Sequence, residues 1–293
     1  MMLVVGDLLL DVLLLPELTH SEQPAGMLAR SGGSAANTAA WMGHLGREVT
    51  FVGCVGNDGI GDMLRAELRV EGVQTEVRSV AGMETGCVAV ELDARGERLM
   101  RSSRGANVAL VADDLLRTVT GSLWGIHLTG YALLGAGSFA LLEAAGEVAR
   151  AHRALLSFDP SSEGVIEALG RERLLRVLKQ CGFGLLLPNI VEAVALTGRE
   201  EPSEAAVVLG ETAPTVVVKC SERGAVTFAG GEVRRVPTEP IEPLDTTGAG
   251  DAFNAGLLAA LMRGEALEEA CGQAHIIARE AIQTYGGRPA REQ

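Results

Sequence analysis

The segment DTTGAGDAFNAG at residues 245–256 combines a glycine-rich turn, a carboxylate and the start of a helix. Its small residues Gly248, Ala249 and Gly250 allow successive backbone N–H groups to point at one spot. The N-terminus of a helix carries a positive dipole end and attracts anions. Asp251 in this position can accept a proton from an alcohol while the amides hold developing phosphate charge. The segment therefore predicts a phosphoryl-transfer site.

A purely structural interpretation of Asp251 is also open at this point. Thr246 or Thr247 could cap the helix, and Asp251 would then be an ordinary acidic residue of its first turn. No Gly-Lys-Ser/Thr follows the glycines, so the segment is not a Walker A loop. It also does not follow an early strand, as a dinucleotide-binding fingerprint does.

A second glycine-rich segment, SGGSAANTAA at residues 31–40, precedes FVGCVGNDGIG at residues 51–61. Gly32 and Gly33 allow a ligand to approach the backbone closely, and Asn37 offers a donor and an acceptor to hydroxyl groups. The alternative is a Gly-Gly turn with an asparagine near a helix start.

Both segments closely resemble the signatures of the PfkB (ribokinase-like) carbohydrate kinase family, and similarity extends over essentially all 293 residues. The resemblance implies one α/β domain over residues 1–293, a three-layer sandwich with a mainly parallel central sheet and a small β lid. It implies ATP-dependent phosphorylation of a hydroxymethyl group on a small sugar-like substrate, with Asp251 as general base. Asp11, Gly32, Gly33 and Asn37 would contact the sugar.

The resemblance also implies residues that handle the nucleotide and Mg²⁺. Asn189 and Glu192 follow a predicted strand and are similar to the Asn-x-x-Glu element that arranges phosphates and, through water, Mg²⁺. A capping box, with Asn189 as N-cap, is the structural alternative.

The segment at residues 217–226 resembles the strand-turn-strand that carries the nucleotide, with Lys219, Ser221 and Gly224 as contacts. Ser221 stands where the family usually has glycine, which leaves the form of this turn open. His275 lies where some relatives contact adenine, although a lone histidine on an apolar helix is often structural.

Residues 284–287 resemble the loop that holds a monovalent cation, such as K⁺, in many relatives. The resemblance assigns this cation to Asp245, Thr247 and Gly287. Asp159 precedes Pro160 at the end of a predicted strand and departs from the Asp-x-Asn-x-Arg pattern of some sugar kinases, so we interpret it as part of a turn.

Composition is that of an ordinary cytoplasmic enzyme. The net charge is −13, so nucleic acid and anionic membranes are disfavoured partners. The five cysteines are scattered and lack Cys-x-x-Cys spacing, which indicates reduced thiols. The apolar N-terminal run carries Asp7 and Asp11 and no basic region, so neither a signal peptide nor a membrane span is expected.

These residues need a scaffold, and alternating short apolar runs and helical patterns predict a parallel sheet covered on both faces. In such sheets ligands bind at the carboxyl ends of the strands. The predicted strands are Leu3–Gly6, Val49–Val52, Trp124–Leu128, Ala154–Phe158, Gly184–Leu187, Val216–Lys219 and Ala225–Phe228. The predicted helices are Ala35–Gly43, Ile60–Glu71, Asp113–Val119, Ser138–Ala151, Val165–Gln180, Ile190–Leu196, Ser203–Val208, Ala252–Arg263 and Leu267–Gln283.

Two regions, at about 11–31 and 85–104, break this rhythm and look like antiparallel hairpins, the second with a turn at Asp93–Gly96. The resemblance assigns them to the lid over the sugar and leaves open a homodimer formed through it. Lid closure would exclude water.

The identity of the substrate is less constrained. No Phe, Tyr or Trp occurs in residues 1–40 or 52–123, which favours a sugar over a nucleoside because bases usually stack on rings. Arg98, Arg101 and Arg104 cluster on the lid's return strand, where alternation puts Arg98 and Arg104 on one face and Arg101 on the other. They predict a preference for a sugar acid or sugar phosphate, or they only keep an edge strand soluble. A nucleoside kinase and a non-catalytic sugar-binding or nucleotide-binding relative are the alternatives.

Overall fold

A nine-stranded sheet forms the centre of the protein in the computed structural model, which describes residues 1–15, 26–92 and 98–290. The strands follow the order β13-β12-β11-β10-β9-β8-β1-β4-β5. All neighbours pair in parallel except β11 with β12 and β12 with β13, which are antiparallel. The strands of this sheet are β1 (Met2–Val5), β4 (Val49–Gly56), β5 (Gln74–Val80), β8 (Gly125–Thr129), β9 (Leu155–Asp159), β10 (Leu185–Leu186), β11 (Thr215–Lys219), β12 (Ala225–Ala229) and β13 (Glu232–Val236).

Helices cover both faces of this sheet. β1 is buried on both faces, as continuous apolar strands of parallel sheets are. Residues of α1, α2, α9 and α10 pack in one apolar core, and residues of α4, α6, α7 and α8 pack in the other. The helices are α1 (Ser34–His44), α2 (Gly59–Val70), α3 (Ala112–Leu116), α4 (Ser138–His152), α5 (Glu163–Leu169), α6 (Arg171–Cys181), α7 (Ile190–Thr197), α8 (Pro202–Leu209), α9 (Ala249–Met262) and α10 (Leu267–Ala281).

The predicted three-layer architecture is therefore confirmed, with one helix boundary wrong. A single helix was expected over residues 165–180, but Gly170 ends α5 and precedes α6. Its φ of 79° lies in the left-handed region that favours glycine, so the chain turns there. The strands β5 and β13 lie where no strand was predicted, at the two edges of the sheet.

A second sheet of four strands, in the order β3-β2-β6-β7, forms the lid. Its strands are β2 (Leu9–Leu15), β3 (Gly26–Gly32), β6 (Gly86–Leu92) and β7 (Arg98–Ser103). Each predicted hairpin is antiparallel, and the two join through parallel pairing of β2 with β6. The expected turn at 93–96 lies outside the described residues. The predicted dimer and single domain stay predictions.

No helix among the described residues is long and apolar enough to cross a membrane.

Candidate functional site

A cleft of about 1030 Å³ lies at the carboxyl ends of the central strands, between the main sheet and the lid. Residues at or just after the ends of β1, β9 and β11 line it, together with the starts of α1, α7 and α9. Both glycine-rich segments of the sequence meet in it. The predicted site residues that line this cleft are Asp11, Gly33, Asn37, Asn189, Glu192, Lys219, Ser221, Gly224, Thr247, Gly248, Ala249, Gly250, Asp251 and His275.

Helix α9 begins with a glycine instead of the expected threonine cap. Gly248 occupies the N-cap position with φ 74°, and no side chain caps the helix. A Cβ on Gly248 would overlap the Cα atom of Gly287, so only glycine fits this turn. Thr247 instead donates from its backbone N and its hydroxyl to Oδ1 of Asp245, at 2.9 and 2.7 Å. The interpretation of Thr246 or Thr247 as N-cap is therefore wrong. The Ala249 backbone N donates to the Thr246 carbonyl at 3.4 Å, whereas the backbone N atoms of Gly250 and Asp251 have no acceptor among the described residues.

Asp251 lies in the first turn of α9 and is held from both sides. The Ser34 hydroxyl donates to its Oδ1 atom across 2.7 Å, and the Asn37 amide donates to its Oδ2 atom across 2.9 Å. Burial raises the pKa of Asp251 to about 7, although these two hydrogen bonds oppose the shift. A carboxyl group with this pKa is ionised in part at neutral pH and is suited to general base catalysis.

Asn37 therefore contacts the candidate base directly, in addition to lining the cleft. Its Oδ1 atom is buried and has no hydrogen-bond partner among the described residues. Ser34 was not predicted as a site residue. Ser34 follows the Gly-Gly pair directly and is the first residue of α1. A hydroxyl group at that position of a glycine-rich segment was the only feature of the sequence that could have indicated its role.

Asp11 lies on the lid strand β2 and is buried. Burial, helped by the nearby negative charge of Asp7, raises its pKa to about 7. A Cβ on Gly32 would overlap the Asp11 carboxylate, so this glycine makes room for the acid across the β2–β3 pair. Gly33 has φ 103°, and a Cβ there would overlap the backbone carbonyl of Asp7. The two glycines thus allow the lid to approach the end of β1.

Arg104 also lines the cleft, just beyond the end of β7 and on the side of Asp7 and Asp11, where the sugar is expected. This side is called the substrate end. Its Nη2 atom is 3.5 Å from Oδ2 of the buried Asp7. Its guanidinium lies over the ring of Tyr131, 4.4 Å from the ring centroid. Arg101 is exposed on β7 and pairs with Ala89, whereas the neighbouring pair of Ser102 and Val88 faces the cleft. Because side chains alternate along a strand, Arg101 faces away and does not join Arg104 in the cleft.

Asn189 and Glu192 form the predicted capping box at the start of α7. The Asn189 backbone N donates to Oε2 of Glu192 at 2.8 Å, and Oδ1 of Asn189 accepts from the Glu192 backbone N at 2.9 Å. Burial raises the pKa of Glu192 to about 8, and the nearby Asp159 carboxylate adds to the shift. The capping role and a role in the cleft therefore coexist.

Asp159 is a cleft residue and not merely part of a turn, which corrects the sequence interpretation. Its Oδ2 atom lies 2.6 Å from Nζ of Lys219 and accepts from the amide of Asn254 across 2.5 Å. Burial alone would raise the pKa of Asp159, but the positive charge of Lys219 and these hydrogen bonds lower it. Asn254 was not predicted either, although it stands one helical turn after Asp251.

The turn after β11 contains Ser221 and Gly224. Ser221 has φ 53°, in the left-handed region. Serine therefore adopts here a backbone conformation that favours glycine, the residue that the family usually has at this position. A Cβ on Gly224 would overlap the carbonyl of Val236, so glycine is required there. Both residues line the cleft, and their contact with the nucleotide stays a prediction.

His275 lies on α10 beside Phe253 in an edge-to-face arrangement, with ring centroids 5.1 Å apart. Burial lowers its pKa, so the ring is neutral at physiological pH. It lines the cleft, and its Nε2 atom has no hydrogen-bond partner in the part of the chain that the structure describes. Its packing fits the structural alternative, and its contact with adenine stays a prediction.

The residues expected around a monovalent cation come together from two parts of the chain. The backbone N of Gly286 donates to Oδ2 of Asp245 at 2.9 Å, and Oδ1 of Asp245 accepts from Thr247. The carbonyl of Gly287 accepts from the Trp41 indole at 3.0 Å. Among the described residues, no group of three or more His, Cys, Asp or Glu side chains is arranged to hold a metal ion. The cation stays a prediction.

Comparison with known proteins identifies the family of the chain. The pfkB family carbohydrate kinase model matches residues 1–293. A fructokinase of Escherichia coli is 32% identical over 273 residues, which cover 88% of this chain and 83% of the relative. The adenosine kinase structure from Sinorhizobium meliloti superposes with a TM-score of 0.87 at 25% identity, covering 98% of this chain and 95% of that one.

A putative ribokinase II from E. coli, solved in complex with ATP and Mg²⁺, superposes with a TM-score of 0.85 at 23% identity. The match covers 98% of this chain and 94% of that chain. The family match spans the whole sequence and includes both glycine-rich segments and the cleft that they form. The chain is therefore an ATP-dependent kinase that belongs to the pfkB family of carbohydrate kinases.

Proposed function

We propose that the protein phosphorylates a hydroxymethyl group of a small, neutral sugar or sugar derivative with ATP, and that Asp251 is the general base. The observation that carries the proposal is the arrangement around Asp251. Its carboxylate is fixed by Ser34 and Asn37 beside the open amides of the α9 N-terminus. A base and an anion-binding turn within one helical turn are what transfer to an alcohol requires.

The reaction breaks the bond between the γ-phosphorus and the oxygen that bridges to the β-phosphate. The substrate hydroxyl oxygen forms the new bond to phosphorus, and its proton passes to a carboxylate oxygen of Asp251. The backbone N–H groups at residues 248–250 stabilise the negative charge on the transferred group. The lid excludes water, which would otherwise accept the phosphoryl group.

ATP and Mg²⁺ fit the other end of the cleft. The negative charge of Asp159 acts on both Asp251 and Glu192 and adds to the effect of burial in raising their pKa values. The three carboxyl groups therefore lie close together at this end of the cleft. Such a place favours a hard cation, and carboxylate and amide oxygens are ligands that Mg²⁺ prefers. Asn189 and Glu192 would hold the ion through water, and Lys219, Ser221 and Gly224 would face the nucleotide. Bound Mg²⁺ supplies charge neutralisation to the phosphates.

The charges at the substrate end favour a neutral substrate. Asp7 and Asp11 line this end, and Arg104 is the cation paired with Asp7. An added anion would meet the carboxylates of Asp7 and Asp11, while hydroxyl groups can donate to both of them. A sugar acid or sugar phosphate is less favoured, because Arg101 faces away and Arg104 lies beside the carboxylate of Asp7.

A nucleoside kinase is the second candidate. It is favoured by the structural similarity to an adenosine kinase and by the Tyr131 ring in the substrate end, which lies outside the ring-free sequence ranges. Arg104 covers the Tyr131 ring, so a base does not have free access to that face. A non-catalytic relative is not favoured, because the carboxylate and the glycine turn are both present.

A coupled assay of ADP release with neutral sugars, sugar acids, sugar phosphates and nucleosides tests the proposal. We expect the highest kcat/KM for a neutral sugar, with ATP and Mg²⁺ required. If a nucleoside were the best substrate, the second candidate would replace the first. If no alcohol were phosphorylated although ATP bound, the kinase assignment of the site would be wrong.

A further inference from the structure

Lys219, Asp159 and Asn254 form a closed triangle of hydrogen bonds on the floor of the cleft. Nζ of Lys219 lies 2.6 Å from Oδ2 of Asp159 and 3.1 Å from Oδ1 of Asn254. The Nδ2 atom of Asn254 donates to Oδ2 of Asp159 across 2.5 Å. Each of the three residues comes from a different element, namely β11, the end of β9 and the second turn of α9.

The triangle is almost completely shielded from solvent. Asn254 is fully buried, Asp159 is 3% exposed, and the Lys219 side chain is 11% exposed. A buried ion pair contributes little net stability, because desolvation offsets the attraction between its charges. Stability alone therefore does not account for a lysine in this position.

The ammonium group lies next to the anion-binding turn. It is 3.5 Å from the point where a Cβ on Gly250 would stand, which is ordinary van der Waals contact. Its positive charge lowers the pKa of Asp251, whereas the charge of Asp159 raises it. Lys219 is thus within electrostatic range of the base and of the amides that precede it.

One donor of the ammonium group is left for a ligand. A lysine has three N–H donors, and Asp159 and Asn254 accept two of those of Lys219 in the described part of the chain. Asn254 supplies its acceptor without a charge, so the ammonium is neutralised by one carboxylate and not by two. Lys219 also lines the cleft, so its remaining donor has access to a bound group.

We propose that Asp159 and Asn254 hold the Lys219 ammonium beneath the α9 amides, where its third N–H binds the phosphoryl group during transfer. This inference rests on the proposed kinase function and adds two positioning residues to it. Lys219 touches the reacting group, while Asp159 and Asn254 act through Lys219. A lysine placed where charge develops stabilises the transition state more than the bound substrate.

The lysine content of the chain makes the test direct. Only Lys179 and Lys219 are lysines among 25 basic residues, and Lys179 is exposed on α6. With ¹⁵N-labelled lysine, a Lys179→Arg variant leaves a single side-chain ammonium signal. We expect that signal to shift when an ATP analogue with a non-hydrolysable β,γ bridge is added with Mg²⁺, but not with AMP. An unchanged signal, or an equal shift with AMP, would overturn the proposal.

Lys219→Met is expected to lower kcat by about 10²- to 10³-fold, the loss seen when one stabilising donor of a transition state is removed. The KM for the sugar should stay within a factor of about two, because Lys219 does not touch it. The matched control Lys179→Met should retain wild-type kcat. Affinity for the ATP analogue should fall in Lys219→Met while affinity for AMP does not. Equal weakening of both would indicate a structural role and contradict the proposal.

A double-mutant cycle tests the positioning role of Asn254. Asn254→Leu removes both hydrogen bonds at similar volume and should lower kcat about tenfold, the scale of a lost bond to a charged group. In a Lys219→Met background it should cause no further loss, because Asn254 acts through Lys219. Additive losses would refute the positioning role. If Asn254→Leu does not fold, Asn254→Ser takes its place in the same cycle, with the same expectation of no further loss in the Lys219→Met background.

Failure of this inference and failure of the proposed function are distinguishable. The lysine signal and the analogue affinities do not depend on knowing the sugar. If Asp251→Asn abolished turnover and Lys219→Met did not, the kinase function would stand and the role of Lys219 would fall. If no alcohol were phosphorylated but Lys219 responded to the analogue, the kinase function would fall and Lys219 would be only a ligand of the nucleotide phosphates.

Discussion

The Nδ2 atom of Asn37 lies 2.9 Å from Oδ2 of Asp251, so two segments that are 214 residues apart in sequence meet at one carboxylate. The Ser34 hydroxyl, which belongs to the same helix α1 as Asn37, donates to the other carboxylate oxygen, Oδ1 of Asp251. Because both oxygens already accept a hydrogen bond, the carboxylate is oriented before substrate binds. A substrate hydroxyl then meets a preorganised base, which lowers the reorganisation that catalysis requires.

Asp251→Asn should abolish most turnover while the fold and ATP binding persist. The amide has the same shape but cannot take the proton, so kcat should fall about 10²- to 10⁴-fold, the usual contribution of a positioned base. Steady-state kinetics on the identified sugar measures this. Asp62→Asn is a matched control, since Asp62 also lies in the first turn of a helix, α2, but is exposed. Retention of more than half of the wild-type kcat by Asp251→Asn would show that another group is the base.

The sequence predicted most strands of the main sheet, the lid strands and fourteen residues that line the cleft, because glycine turns and strand-end acids carry local signals. It did not predict the partners of those residues. Nothing in the local pattern around Asp159 indicates that its carboxylate reaches Lys219, 60 residues away, or Asn254, 95 residues away. Such pairs depend on which strand ends become neighbours in the sheet, and that order is a property of the whole fold.

The arginines near the lid illustrate the same limit. Ser102 and Arg104, two residues apart, both line the cleft, as alternation along a strand requires, whereas Arg101 between them faces away. The local pattern did not indicate that Arg104 would lie beside the carboxylate of Asp7, which follows a different strand. This pairing changes the inference about the charge of the substrate.

Activity and stability should change in opposite directions as pH rises from 7.0 to 8.5. Burial raises the pKa of Asp251 and Asp11 to about 7 and of Glu192 to about 8. Their unfolded forms ionise near pH 4, so the folded state binds more protons, and this stabilising effect is lost as pH rises through the folded values. His127 and His275 have lowered folded pKa values and stop contributing above about pH 7.5, since an unfolded histidine titrates near 6.5.

We therefore expect the Tm of the ligand-free protein to fall over this range, while kcat/KM rises with an acid limb near pH 7 as Asp251 ionises. Thermal unfolding and initial rates at matched ionic strength measure the two trends. Asp251→Asn should lose part of the decline in Tm, because one of the three groups no longer titrates. A Tm that rises from pH 7.0 to 8.5, or a kcat/KM that falls, would contradict the assignment.

Potassium should raise kcat if the loop at Gly286 and Gly287 and the Asp245 turn hold a monovalent cation. Gly287 contacts Gly248, and Gly286 donates to Asp245, so an ion bound there would order the anion-binding turn at the start of α9. Rates in K⁺ and in tetramethylammonium at equal ionic strength give the comparison. Asp245→Asn should remove the response to K⁺. Equal rates in the two salts would mean that the turn is already ordered by its own hydrogen bonds.

Arg104→Gln should raise the KM for neutral sugars. It should also raise kcat/KM for nucleosides relative to kcat/KM for sugars. The guanidinium pairs with Asp7 and covers Tyr131, so its removal leaves a carboxylate without its cation and uncovers an aromatic face. Loss of one charge-assisted interaction should raise the KM for the sugar by roughly tenfold, and the exposed ring can then stack on a base.

The matched control is Arg101→Gln, because Arg101 belongs to the same lid but is exposed on the far face. Its KM should equal the wild-type value, and circular dichroism should verify that both variants fold. The ratio of kcat/KM for nucleosides to that for sugars is the decisive quantity, since a general loss of stability would lower both values together. A ratio unchanged in Arg104→Gln, or a sugar acid as the best wild-type substrate, would show that Arg104 does not select the substrate by covering Tyr131 and compensating Asp7.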